Sequence, residues 1–210
     1  MNHRFADIAF TPNVQRLQER HGSRAQYARM QERSGPNEAL GPDEAAFLAD
    51  ADTFFLATVS ETGWPYVQHR GGPAGFVKVL SPTTLGFADF RGNLQHVSTG
   101  NALGDDRASI IVVDYAHRRR LKLLGRLRFV DLADADPELV RHVELPGYLA
   151  RVERVALFEV AAFDWNCPQH ITPRFSEAEL EPVLAPVRLR IQTLEAENKE
   201  LRRKLADRGE

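Results

Sequence analysis

A single cysteine, Cys167, stands among the 210 residues. One thiol excludes an internal disulfide and any zinc site built from several thiolates. It suits a reducing compartment. Cys167 and His170 have the spacing of half a metal site, but the other half is missing, so no metal is expected. An excess of one charge is missing too. Lys and Arg number 27 against 29 Asp and Glu, a net charge of −2. That field does not favour non-specific nucleic-acid binding, and no nucleic-acid partner is expected. Long apolar runs are absent: none approaches the roughly 20 residues of a bilayer span. The opening MNHRFADIAF lacks the apolar core of a secretory signal. The expectation is a soluble cytoplasmic protein with no membrane partner. What remains is 43% hydrophobic and 27% charged, which is enough apolar material to bury a core.

Three zones divide the chain. Residues 1–50 read as a helical segment. Thr11 is a cap with Pro12 at the first helical position, and Val14, Leu17, His21 and Ala25 follow at helical spacing. SGPNEALGP (34–42) is a connector, and Pro42-Asp43-Glu44 opens a short helix carrying Phe47 and Leu48. Residues 51–175 read mainly as strands: TFFLATVS, YVQHR, GFVKVL, TLGFADF, RASIIVVDY, RRLKLLGRLRFVDL and ALFEVAAFDW. They are rich in Val, Ile, Leu and Phe, and their number and spacing predict a closed or nearly closed barrel. Helical interruptions are expected near 93–103 and 136–152. Residues 176–210 form a C-terminal helix. Ser176 and Glu179 match a capping box. Ile191, Asn198 and Leu205 then take heptad a positions, and Val187, Leu194 and Leu201 take d. Ile at a with Leu at d favours two strands, and Asn at a fixes register. A parallel coiled coil is expected, with Arg190 facing Glu195 and Glu197 facing Arg202 across the pair.

The chemistry concentrates around GWPYVQHRGG (63–72). A strand runs into His69-Arg70 and then two glycines, which let a flat ligand approach the backbone. TLGFADFRGN follows, with a helix start expected at Asn93, where backbone N–H groups favour an anion. RRRLKLLGR (118–126) adds a basic strand. Alternation puts Arg118, Arg120 and Lys122 on one face, while Arg119 is read as structural. Arg and Lys can neutralise a phosphate. Together these pieces suit a flat, phosphorylated cofactor better than a metal. His69 is read as a wall residue rather than a proton donor, and Trp64 and Trp165 as core.

GWPYVQHRGGPAGFVKVL, TLGFADFRGNLQHVSTGN and DYAHRRRLKLLGR resemble the FMN-binding split barrels related to pyridoxamine 5′-phosphate oxidase. The resemblance covers roughly residues 40–174. It implies a mainly β (α+β) fold, a six-stranded antiparallel split barrel with flanking helices, and a homodimer with FMN at the subunit interface. Carried across, it puts Gln68, His69, Arg70 and Gly71 along the flavin and ribityl chain. Phe87, Ala88 and Asp89 fall near the ring. Asn93, Leu94 and Gln95 fall at the phosphate, and Arg120 and Lys122 reach it from the partner. Trp165 borders the cofactor, with His170 and Arg174 on the substrate side. Leu94 departs from the pattern, which commonly has Arg or Lys there. The implied function is an FMN-dependent oxidoreductase acting on a small-molecule substrate. The alternative is a non-catalytic module holding flavin or another flat ligand such as haem, tethered through its C-terminal helix.

Overall fold

The computed structural model describes residues 3–33, 37–207 and 209; residues 34–36 of the expected connector lie outside them. Four helices precede the sheet: α1 (Arg4–Ala9), α2 (Pro12–Arg20), α3 (Arg24–Arg33) and α4 (Pro42–Ala49). Thr11 and Pro12 start α2 as expected. The helical run does not continue to Ala25. Gly22, at φ 74°, breaks it, and α3 begins afresh at Arg24. A left-handed glycine just past a helix end is the usual way to stop it.

Seven strands follow, with two helices between them: β1 (Thr53–Val59), β2 (Pro65–Gly71), β3 (Lys78–Ser81), β4 (Thr84–Phe90), α5 (Val97–Gly104), β5 (Arg107–Asp114), β6 (Arg119–Asp131), α6 (Pro137–Val143) and β7 (Val152–Trp165). They make one sheet in the order β2-β1-β5-β6-β7-β4-β3. Every pairing is antiparallel. β2 and β3 form the two ends of the sheet, and its strands number one more than the six that the resemblance implies.

Period-two alternation builds the core. Phe54 and Leu56 of β1, Ile110 and Val112 of β5, and Leu121 and Leu123 of β6 all point inward and are buried. Phe54 stacks on Phe76 at 5.5 Å and meets Phe87 edge-on at 5.1 Å. β4 is buried at five consecutive positions, because both its faces are covered. Leu85 and Phe87 join the main core. Ala88 packs with Val143, Val155 and Leu157 in a second cluster beside α6. Arg118 does not share the strand face with Arg120 and Lys122. It lies in the turn before β6 at φ 55°.

The chain divides into two compact units. One runs to Asp114 and resumes over Arg118–His170; the other holds Tyr115–His117 and the chain from Ile171. The second unit contains α7 (Glu177–Ala206). Its capping box is present as expected: Ser176 accepts from the Glu179 N–H, and the Glu179 carboxylate accepts from the Ser176 N–H. Arg174 sits over the Tyr115 ring at 4.9 Å in the same unit. Among the described residues, no helix is long and apolar enough to cross a membrane.

Candidate functional site

Alternation along β2 separates two sets of side chains. Tyr66, Gln68 and Arg70 are half-buried on one face, whereas Val67 and His69 are exposed on the other. The first set lines a shallow cleft that is open to solvent. Asp89 and Phe90 of β4, Glu153 and Arg154 of β7, and the segment from Gly92 to Thr99 complete its wall.

Asp89 organises the cleft. Its side chain is 3% exposed and holds two guanidinium groups. Oδ1 accepts from Arg70 at 2.5 Å, and Oδ2 accepts from Arg154 Nε and Nη2 at 2.9 and 2.8 Å. The sheet register causes this. Asp89 and Arg154 are direct partners in the β4–β7 ladder. Arg154 also donates to His96 Nδ1 at 3.2 Å. Arg70 Nε is buried and, among the described residues, has no acceptor. A buried N–H without a partner is costly, and it marks a place where an acceptor from outside would be gained. Arg70 and Arg154 are matched in number by Asp89 and Glu153 in the lining. Any pull on an anion therefore comes from directed N–H groups rather than net charge.

The segment before α5 shapes the other wall. The helix starts at Val97, not at Asn93, and His96 takes the N-cap position at φ 52°. Leu94 is also left-handed, at φ 62°. Two residues of positive φ turn the backbone too sharply for a helix to begin earlier. Asn93 Oδ1 accepts from the Gln95 N–H at 3.2 Å, closing the turn. α5 is pinned to the sheet by two side-chain bonds. Ser98 donates to Gln68 Oε1 at 2.8 Å, and buried Asn101 donates to Thr58 Oγ1 at 3.0 Å.

Of the expected site residues, Gln68, Arg70, Asp89, Asn93 and Gln95 meet in this cleft, together with Leu94. The others lie elsewhere. His69 bonds Thr53 Oγ1 at 2.6 Å on the opposite face of β2. Gly71 ends β2. Phe87 and Ala88 are in the two cores. Arg120 donates to the side-chain oxygen of Asn166. Lys122 pairs with Asp164 at 2.9 Å and sits over Phe5. Trp165 donates from Nε1 to Glu44 at 2.6 Å, with Arg119 over its ring. His170 is an exposed turn residue at φ 63°, outside the cleft lining. Arg174 belongs to the second unit.

Sequence reasoning did not single out Arg154, His96, Ser98 or Glu153. Arg154 sits in RVERV, between the expected helical interruption and the expected strand ALFEVAAFDW, and β7 begins earlier than expected, at Val152. Its one available signal was the pairing of a buried acid on one strand with a cation on its neighbour.

The chain is similar in fold to several solved structures. HupZ of Group A Streptococcus aligns at 11% identity and TM-score 0.49, covering 65% of this chain and 99% of that one. An FMN-binding protein from Syntrophomonas wolfei aligns at 13% identity and TM-score 0.46, covering 71% and 97%. A protein from Clostridium acetobutylicum, related to general stress protein 26 of B. subtilis and assigned to the pyridoxinephosphate oxidase family, aligns at 11% identity and TM-score 0.43, covering 66% and 94%. No curated protein matches the chain in sequence. The family model described as pyridoxamine 5′-phosphate oxidase matches residues 40–162, more than half of the chain and the whole segment from α4 through most of β7. The chain belongs to the pyridoxamine 5′-phosphate oxidase family.

Proposed function

We propose that the cleft between β2, β4, β7 and the turn before α5 holds the phosphate end of FMN, and that the protein is a homodimeric FMN-dependent oxidoreductase acting on a small molecule. The buried Arg70 Nε without an acceptor is the observation that carries this reading. Family membership supports it independently. The residues present fit the group at its charged end. Arg70 and Arg154 are held rigid by Asp89, so little side-chain entropy is lost when they donate to an anion. Tyr66 and Phe90 in the same wall offer ring surfaces. Arg154 takes over, from β7, the cationic role that Leu94 cannot fill.

In this reading Asp89 fixes the direction of both guanidinium groups, Gln68 and Ser98 hold the floor of the cleft, and His96 seats Arg154. His69 steadies the end of β2 from its other face through Thr53, and Gly71 closes the strand beside Arg70. Phe87 and Ala88 set the depth of the ring's seat from beneath, and Arg120, Lys122 and Trp165 approach from the second copy. Bound FMN supplies a hydride acceptor and donor; the chain supplies binding, orientation and exclusion of water.

The test is the absorbance spectrum of the purified full-length protein, with release and identification of any ligand. A flavin spectrum with FMN released at up to one per chain is expected. A colourless protein that also ignores added FMN sinks the reading. Leu94→Arg adds a cation on the exposed turn and should tighten FMN binding about ten- to a hundredfold, the worth of a charge-assisted hydrogen bond. Unchanged affinity would remove the phosphate from this wall. Reduction by a nicotinamide donor with rapid reoxidation by an acceptor marks an enzyme. Stoichiometric binding without turnover marks a carrier.

A further inference from the structure

The heptad seam of α7 runs further than the three heptads that begin at Val187. Counting back in the same register, Leu184 takes an a position and Leu180 a d position. The seam is then Leu180, Leu184, Val187, Ile191, Leu194, Asn198, Leu201 and Leu205. Every member is exposed, from 37% at Leu184 to 60% at Leu201, and α7 has no buried residue. A continuous aliphatic stripe of this kind, open to water along a helix, is a surface made to be covered. The two prolines inside the helix, Pro182 and Pro186, fall at f and c. These positions face away from the seam, so the lost N–H groups do not interrupt it.

We propose that the seam is covered by α7 of a second copy of this chain, parallel and in register. Asn198 decides the direction. In a parallel pair it meets its own copy at an a position, where the two amides satisfy each other. In an antiparallel pair it would face a d position, and all of those are Val or Leu. The flanking charges agree. Arg190 (g) meets Glu195 (e) of the second copy, and Glu197 (g) meets Arg202 (e). Among the described residues none of these four makes an ion pair within its own helix, whereas Arg188 does. The g residue opposite Arg188 is the uncharged Val183, and Arg188 turns instead to Glu181 at 2.7 Å. The charges that have a partner across the seam are left free, and those that have none, Glu181, Arg188 and Lys204, are satisfied locally.

The experiment uses the full chain with Cys167→Ser, into which Val187→Cys or Leu201→Cys is introduced separately, each at a d position. Under mild oxidation both variants should form an interchain disulfide as the major species on a non-reducing gel. Ala196→Cys, at the outward f position, should stay largely uncrosslinked. The two d positions lie about 21 Å apart along the axis, so an antiparallel pair can bring at most one of them against its copy. Crosslinking at only one, at neither, or equally at Ala196→Cys overturns the proposal. As a second readout, Glu197→Arg should reduce crosslinking of the Leu201→Cys chain at least threefold at low salt, and adding Arg202→Glu should restore it. Failure of the double variant to recover overturns the assigned register.

Discussion

Asp89 is the residue on which the cleft depends. It is an acid buried between two arginines whose side chains are 16% and 17% exposed. Removing one partner of a buried charge network leaves the others uncompensated, at about 3–5 kcal/mol when burial is complete. Both arginines here keep some contact with water, so Asp89→Ala should lower stability by about 2–3 kcal/mol, read as a shift in the urea midpoint at unchanged slope. Asp89→Asn keeps the shape and one acceptor oxygen, and should lose less. An Ala variant as stable as the parent would mean that the two guanidinium groups find other partners and that Asp89 does not align them. How much of this network was legible differs by residue. Arg70 and Asp89 stand inside recognisable stretches, HRGG and FADF, and their place could be read along one strand. Arg154 could not. It reaches Asp89 across 65 residues of chain, and nothing in RVERV announces a partner that only the β4–β7 register supplies.

At the scale of elements, Gly125 marks the one irregularity in the β6–β7 ladder, where the register shifts between Leu124 and Gly125. A Cβ at Gly125 would stand 2.2 Å from the carbonyl oxygen of Glu159 and 2.7 Å from the Phe158 ring. The obstacle is backbone in the longest ladder of the sheet, so it cannot swing aside. Gly125→Ala should therefore cost about 1–3 kcal/mol or more, with a lower thermal midpoint and an unaltered far-ultraviolet spectrum. A neutral substitution would show that the bulge is not held closed. The junction between α5 and β5 makes a pH-dependent counterpart. Asp105 accepts from the Arg107 backbone N–H at 3.0 Å and from its guanidinium at 2.8 Å, and the Arg107 side chain holds the Asp105 carboxyl down from 3.8 to about 2. Because the folded value is depressed, this contribution to stability is present above pH 3.8. It is lost as the pH falls through about 2. Arg107→Ala should bring the Asp105 titration, followed by NMR, back toward 3.8. A carboxyl that still titrates near 2 would assign the shift to another group. The strand runs were legible because alternation of Phe, Leu, Ile and Val is a property of the local sequence. The start of α5 was not. Asn93 has the side chain of a cap, but the left-handed turns at Leu94 and His96 delay the helix to Val97. A turn of that kind is set by packing around it, and leucine is a residue that rarely announces it.

At the scale of the whole molecule, among the described residues the sheet leaves β2 and β3 each with one unpaired edge, and the cleft joins β2 at one end of the strand order to β4 and β7 near the other. The face of β2 turned away from the cleft carries Val67 at 61% exposure, and Trp64 beside the strand is 75% exposed. An open edge next to exposed apolar side chains is a place natural proteins cover. A second copy is the occupant that the proposed function requires. If two copies complete one FMN site there, ligand binding and association must be coupled, since whatever binds the dimer and not the monomer favours the dimer by mass action. The apparent FMN affinity should then weaken on dilution of the protein through its dissociation range, and saturating FMN should shift the sedimentation profile toward the dimer. Val67→Asp sets a charge on that face without touching the cleft. It should raise the apparent FMN dissociation constant at least tenfold at micromolar protein, with recovery at higher protein concentration. An FMN affinity indifferent both to dilution and to Val67→Asp would place the whole site within one chain, leaving Arg120 and Lys122 to their contacts with Asn166 and Asp164.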